Sequence, residues 1–99
     1  MEKGLNILPQ YNLKLFITGA SPNSVKAISN LKIICEQYLT GRYTLEVIDI
    51  YQQPEAAKTE QVIAVPVLIK LSPGPVKRLV GNMSDTAQVL KGLQISEPV

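Results

Sequence analysis

"VIAVPVLIK" (residues 62–70) is the stretch that decides how this chain folds. Val62, Ile63, Val65, Val67, Leu68 and Ile69 are apolar and mostly β-branched, which is the composition of a buried strand. Pro66 interrupts them. Proline has no amide hydrogen to give to a sheet, and in sheets it is confined to edges, strand starts and bulges. The strand is therefore expected to start at Pro66 and to run from about 66 to 71.

The neighbouring segments follow from that start. "SPGP" (72–75) is a turn, so "VKRLVG" (76–81) returns as an antiparallel fourth strand. Upstream, "YNLKLFITG" (11–19) alternates, with Leu13, Leu15 and Ile17 on one face and Lys14, Phe16 and Thr18 on the other. Ser21 is a natural N-cap and Pro22 suits the first turn of a helix. In that helix Val25, Ile28, Leu31, Cys35, Tyr38 and Leu39 recur at helical spacing, and Gly41 is its expected stop. "RYTLEVIDIY" (42–51) is nearly continuously apolar from Val47 to Ile50, which predicts a central strand covered on both faces. "QQPEAAKTEQV" (52–62) reads as a short surface helix, and "MSDTAQVLKGLQI" (83–95) as a last helix capped by Ser84 or Asp85. Val89, Leu90 and Leu93 form the inner face of that last helix. The polar residues 1–10 are a lead-in, and "SEPV" ends the last helix.

Composition bounds the function. The chain has 99 residues, the size of one domain, and at 45% hydrophobic it can bury a core. A formal charge of +2 is too small to predict nucleic-acid binding. No apolar run reaches the roughly 18 residues of a membrane span. The N-terminal stretch lacks an apolar signal core, so a cytoplasmic location is expected. There is no histidine and one cysteine, Cys35. These absences remove histidine-based nucleophile pairs, C-x-x-C redox chemistry and the usual zinc sites. Asp49 and Asp85 are the only aspartates, and the glutamates are scattered. The expectation is a protein that is not an enzyme and that carries no cofactor.

The order β-α-β-α-β-β-α combines a parallel βαβ unit with an antiparallel hairpin. A mixed four-stranded sheet covered by helices satisfies both, and this arrangement is thioredoxin-like. In such folds the proline that opens the third strand is cis and faces the redox cysteines at the start of the first helix. Here that place reads "GASPNS", without cysteine. Cys35 lies three turns further on, at an apolar helical position. The chain thus looks like a thioredoxin-like scaffold with the redox chemistry absent.

Several motifs carry a more specific resemblance. They are Gly19, Ser21, Pro22, Asn23, Ser24, Val25, Lys26 and Ala27; then Val47, Ile48 and Asp49; Ala64 and Pro66; Pro73, Pro75, Val76, Lys77 and Arg78; and Gly81, Ser84 and Asp85. In register from about residue 12 to 93, the chain resembles the KaiB family of bacterial clock proteins. The sensor domain of the clock kinase SasA is similar, but it precedes a kinase, and a stand-alone protein is the better expectation.

The resemblance implies a metamorphic protein. Its tetrameric ground state has a rearranged C-terminal half, and a rarer thioredoxin-like monomer binds the ATPase ring of KaiC, displaces SasA and captures KaiA. The expected partners are thus a KaiC-like ATPase, with KaiA and a SasA-type kinase beyond it, and a tetramer or dimer of the chain itself. No nucleic acid and no membrane are expected as partners. Charged contacts are expected at Lys26, Lys32, Glu46, Lys70, Lys77 and Arg78. Fold-switch positions are expected at Pro66, Pro73, Pro75, Gly81, Asn82 and Asp85. Weak local preferences in residues 51–99, among them a glycine at 92 inside the last helix, make two packings of that half credible. Phe16, Tyr38, Tyr43 and Tyr51 are candidates for an interface between copies, although core packing is the ordinary fate of each.

The chain also departs from the family pattern. Glu46 and Gln61 stand where lysines associated with KaiC docking are usual, Asn82 replaces an aspartate, and the acidic tail is missing. An anion in place of a cation at a charge-complementary rim alters partner choice. Two alternatives therefore stand beside a clock regulator. One is a divergent member in a stress or signalling role, or a structural oligomer, that does not bind standard KaiC. The other is a thioredoxin-like thiol protein that uses an exposed Cys35.

Overall fold

A computed structural model describes residues 9–95 of the chain. The expectations for the first eight residues and for "SEPV" lie outside that range. The elements are β1 (Tyr11–Ile17), α1 (Pro22–Tyr38), β2 (Tyr43–Asp49), α2 (Pro54–Thr59), β3 (Val67–Ser72), β4 (Lys77–Val80) and α3 (Thr86–Leu93). Among the described residues the sheet has four strands in the order β2-β1-β3-β4. β1 runs parallel to β2 and antiparallel to β3, and β3 is antiparallel to β4. This is the thioredoxin-like arrangement, not the rearranged one.

Each helix starts where its sequence permits. The Ser21 hydroxyl accepts from the Ser24 amide and Pro22 occupies the first turn of α1. At the other end Gly41 takes φ +72, a conformation that costs a side-chain-bearing residue about 1 kcal/mol or more, and the chain turns into β2. Of the two caps proposed for α3, Asp85 is the one used. Its carboxylate accepts from the Gln88 amide at 3.1 Å.

Two cores hold the sheet. Leu13, Leu15, Ile17 and Leu68 pack with Ala27, Leu31, Ile34 and Cys35 of α1, with its C-cap Leu39, and with Val89, Leu90 and Leu93 of α3. On the opposite face Phe16, Ile48, Val67 and Ile69 are covered by Ala56, Ala57, Val62 and Val65. Phe16 is thus core, which removes it from the candidate interface residues; Tyr38 and Tyr43 are half-buried and Tyr51 is exposed.

Two expectations need correction. β2 is an edge strand, not a central one. Its apolar end reflects both cores reaching the same point: Ile48 is buried against the α2 layer, while Val47 packs toward α1. Thr44 and Glu46 remain exposed. Val25 is also exposed, and Ile34 takes the buried place in α1. Gly92, which weakens α3 as a helix, has a packing reason. A Cβ there would lie 2.3 Å from Cδ2 of Leu79, so any larger residue requires the Leu79 side chain to move aside for α3 to lie this close to β4.

Candidate functional site

The start of α1 is where a thioredoxin-like fold would keep its reactive thiols. Here it holds hydroxyls. Ser24 is fully buried, the Ser21 hydroxyl donates to Ser24 Oγ at 2.7 Å, and the Thr18 amide donates to the same oxygen at 3.0 Å. Every group is satisfied within the cluster, and none is activated. Cys35 is fully buried in the α1 core, and burial, aided by the Glu36 carboxylate, pushes its thiol up to about 12. It stays protonated at neutral pH. This corrects the thiol alternative, which needs an exposed and readily ionised Cys35.

The expected contact residues fall on three separate surfaces. Lys26 and Lys32 are exposed on the outer stripe of α1, together with the exposed Val25 and Ile33. Glu46 is exposed on the β2 edge, in register with Lys14, whose ammonium lies 3.5 Å from the Glu60 carboxylate. Lys77 and Arg78 are exposed on β4, at the far edge of the sheet. The Arg78 guanidinium is engaged: it donates to the carbonyls of Glu60 and Gln61 and ties β4 to the end of α2.

Lys70 is corrected outright. It is 1% exposed, and its ammonium donates to the carbonyl oxygens of Pro73 and Pro75, the latter at 2.9 Å. Desolvation, then the neighbouring Lys77 cation, holds its pKa below the ordinary lysine value. In this fold it is an internal strut for the 72–75 turn and offers no surface charge.

The expected switch positions sit at the two ends of the β3–β4 hairpin. At one end Pro66 is buried behind a cis bond from Val65, and its carbonyl accepts from the Gly81 amide at 3.0 Å. Gly81 has φ +127. The next carbonyl, that of Asn82, accepts from Asn30 Nδ2 at 2.9 Å, so α1 grips the connection into α3. The Asn82 side chain accepts from the Ser84 amide, and Asp85 follows as the cap of α3. At the other end, Pro73, also behind a cis bond, and Pro75 carry the carbonyls held by Lys70.

Sequence reasoning missed Asn30, the Arg78 tie and the exposure of Ile63. A polar residue flanking the apolar stripe of α1 was the available sign for Asn30. Nothing local marked the other two, because both depend on where β4 lies against α2.

Comparison with known proteins places this arrangement. Residues 14–95 match the KaiB domain family model. The circadian clock oscillator protein KaiB of Gloeothece citriformis is 44% identical over 85 residues, covering 86% of this chain and 80% of that protein. Its counterpart in Nostoc punctiforme is also 44% identical, covering 86% and 82%. Among solved structures, the N-terminal domain of Synechococcus elongatus SasA superposes with a TM-score of 0.70 at 23% identity, covering 100% of this chain and 97% of that one. Mitochondrial thioredoxin 3 from Saccharomyces cerevisiae gives 0.70 at 16% identity, covering 87% and 78%.

Proposed function

The chain belongs to the KaiB family, and from that membership we propose that it is a non-catalytic, clock-type regulatory protein that binds a KaiC-like ATPase through its thioredoxin-like state. One observation carries the reading. A chain with a KaiB-family sequence adopts the thioredoxin-like arrangement, with Lys26 and Lys32 exposed on one helix face beside apolar Val25 and Ile33. Such a stripe offers both charge steering and a desolvated contact to a partner. Lys77 is a third exposed cation for that partner, while Lys70 holds the turn.

The proposal includes a second packing of residues 54–95, occupied by a tetramer or dimer of the chain. When only the thioredoxin-like form binds, apparent affinity is reduced by the fraction of molecules in that form. KaiA is the further partner of the bound state, a SasA-type kinase is the competitor it displaces, and the cytoplasm is the place of action. Among the described residues no helix is long and apolar enough to cross a membrane.

Co-elution of the chain with the KaiC homologue of its own host tests the proposal. Binding that is lost on Lys26→Glu, with the fold intact by circular dichroism, supports it. No complex at micromolar concentrations of both proteins overturns it.

A second reading has its own observation. Glu46 is exposed on the β2 edge where the family pattern has a cation, and Gln61 replaces another. On this reading the chain serves a stress or signalling system and rejects standard KaiC. It predicts that Glu46→Lys, with Gln61→Lys, creates binding to a standard KaiC that the unaltered chain lacks.

A further inference from the structure

Among the described residues β4 has a partner on one side only. The Gly81 amide bonds to the Pro66 carbonyl, and the hairpin register pairs Leu68 with Leu79 and Lys70 with Lys77. Bonded pairs alternate in an antiparallel ladder, so Leu79 and Lys77 direct their backbone groups inward, toward β3. Arg78 and Val80 therefore present their N–H and C=O groups outward. Among the described residues neither amide has another backbone partner across that edge.

The side chains beside this edge are unusual for a strand kept from pairing. Val80 is 66% exposed and Ile63 is 99% exposed. With Ala64 and Val67 they line a mostly apolar groove to which Gln61 and Arg78 also contribute. The groove lies on the face to which Arg78 and Val80 point. Lys77 points to the opposite face. From Gln61 to Ser84 the chain has no acidic residue, and its cations there are Lys70, Lys77 and Arg78. With Lys70 buried, Lys77 and Arg78 are the cations of the edge itself, and the acidic residues Glu60 and Asp85 lie at its two ends.

We propose that the outer edge of β4 accepts an extended segment of a partner protein, one carrying an acidic residue opposite Lys77 and an apolar residue opposite Val80. Those two partner positions are three residues apart, so alternation along a strand puts them on opposite faces. The backbone bonds at Arg78 and Val80 supply general affinity, and the groove and Lys77 supply selection. A second copy of β4 fits less well, because it would bring the Lys77 and Arg78 of both chains into one short ribbon, where like charges oppose. The inference does not require a KaiC-like ATPase to be the partner.

The test is a titration of the isotope-labelled full chain, followed by amide NMR, with two blocked hexapeptides: Glu-Val-Glu-Val-Glu-Val and Lys-Val-Lys-Val-Lys-Val. The acidic peptide is expected to shift the Arg78 and Val80 amides in a saturable way, and the basic peptide to bind at least tenfold more weakly. Ile63→Asp, at a position with no packing to lose, weakens the acidic peptide about tenfold. Lys77→Glu reverses the preference between the two peptides. Equal binding of both peptides, shifts confined to the β2 edge, or no shift at millimolar peptide overturns the proposal. Concentration-dependent shifts at Arg78 and Val80 without peptide also overturn it, because they assign the edge to a second copy.

Discussion

The β1–α1–β2 half carries a helix of 17 residues whose buried positions are Ser24, Ala27, Leu31, Ile34 and Cys35, whereas the half from α2 to α3 relies on helices of 6 and 8 residues and a strand of 4. In the first half stability comes from apolar burial spread over many side chains. The second half also buries Val67, Leu68, Ile69, Val89, Leu90 and Leu93, and it adds a few localised ties: Lys70 to the Pro73 and Pro75 carbonyls, Arg78 to the end of α2, Asn30 to Asn82, and the close approach of Gly92 to Leu79. A few localised ties can be exchanged together for another set, which supports the proposed second packing of the C-terminal half.

Substitutions break the comparison in graded fashion. Leu31→Ala, at a fully buried position of the first half, is expected to cost about 2–5 kcal/mol by urea denaturation. It should do so without changing the balance between two packings of the other half. Lys70→Met keeps the stem and removes the donor, leaving the Pro73 and Pro75 carbonyls unpaired. It should lower the thioredoxin-like form by about 1–3 kcal/mol. The check is the ratio of NMR peak volumes for residues 67–80, since each 1.4 kcal/mol or so changes that ratio tenfold. Gly92→Ala places a methyl against Leu79. The clash is expected to cost about 1–3 kcal/mol, partly offset by the roughly 0.5–1 kcal/mol that alanine returns to a helix. Thermal melts of the isolated variant measure the remainder. Asp85→Ala removes the α3 cap and should cost about 1 kcal/mol, seen as faster amide exchange in the first turn of α3. Cys35 should react with alkylating reagents only at the rate of unfolding; fast labelling of the folded chain would contradict its burial.

These contrasts also explain what could be read from the sequence. Ser21–Pro22, Asp85 with Gln88, and the proline at the entry to β3 are local signals with local causes, and each marks its element to within a residue or two. The position of β2 was not legible, because an apolar run at a strand end looks the same whether the strand is central or two cores meet there. Lys70 was misleading for a related reason. A lysine beside a proline-rich turn resembles a surface charge until the turn folds back and offers it two carbonyls. Lys26, Lys32 and Lys77 stand exposed as expected, but on surfaces that the sequence did not show to be separate. The outward backbone groups of β4 and the bare Ile63 appear only once strand order is known.

Amide exchange spectroscopy of the unbound chain tests the two-packing account most directly. The account predicts a second set of peaks for residues 54–95 with different secondary chemical shifts, a single set for residues 11–49, and a gain in the second set with Lys70→Met. A single set throughout, with Lys70→Met lowering global stability and leaving one conformer, would contradict it.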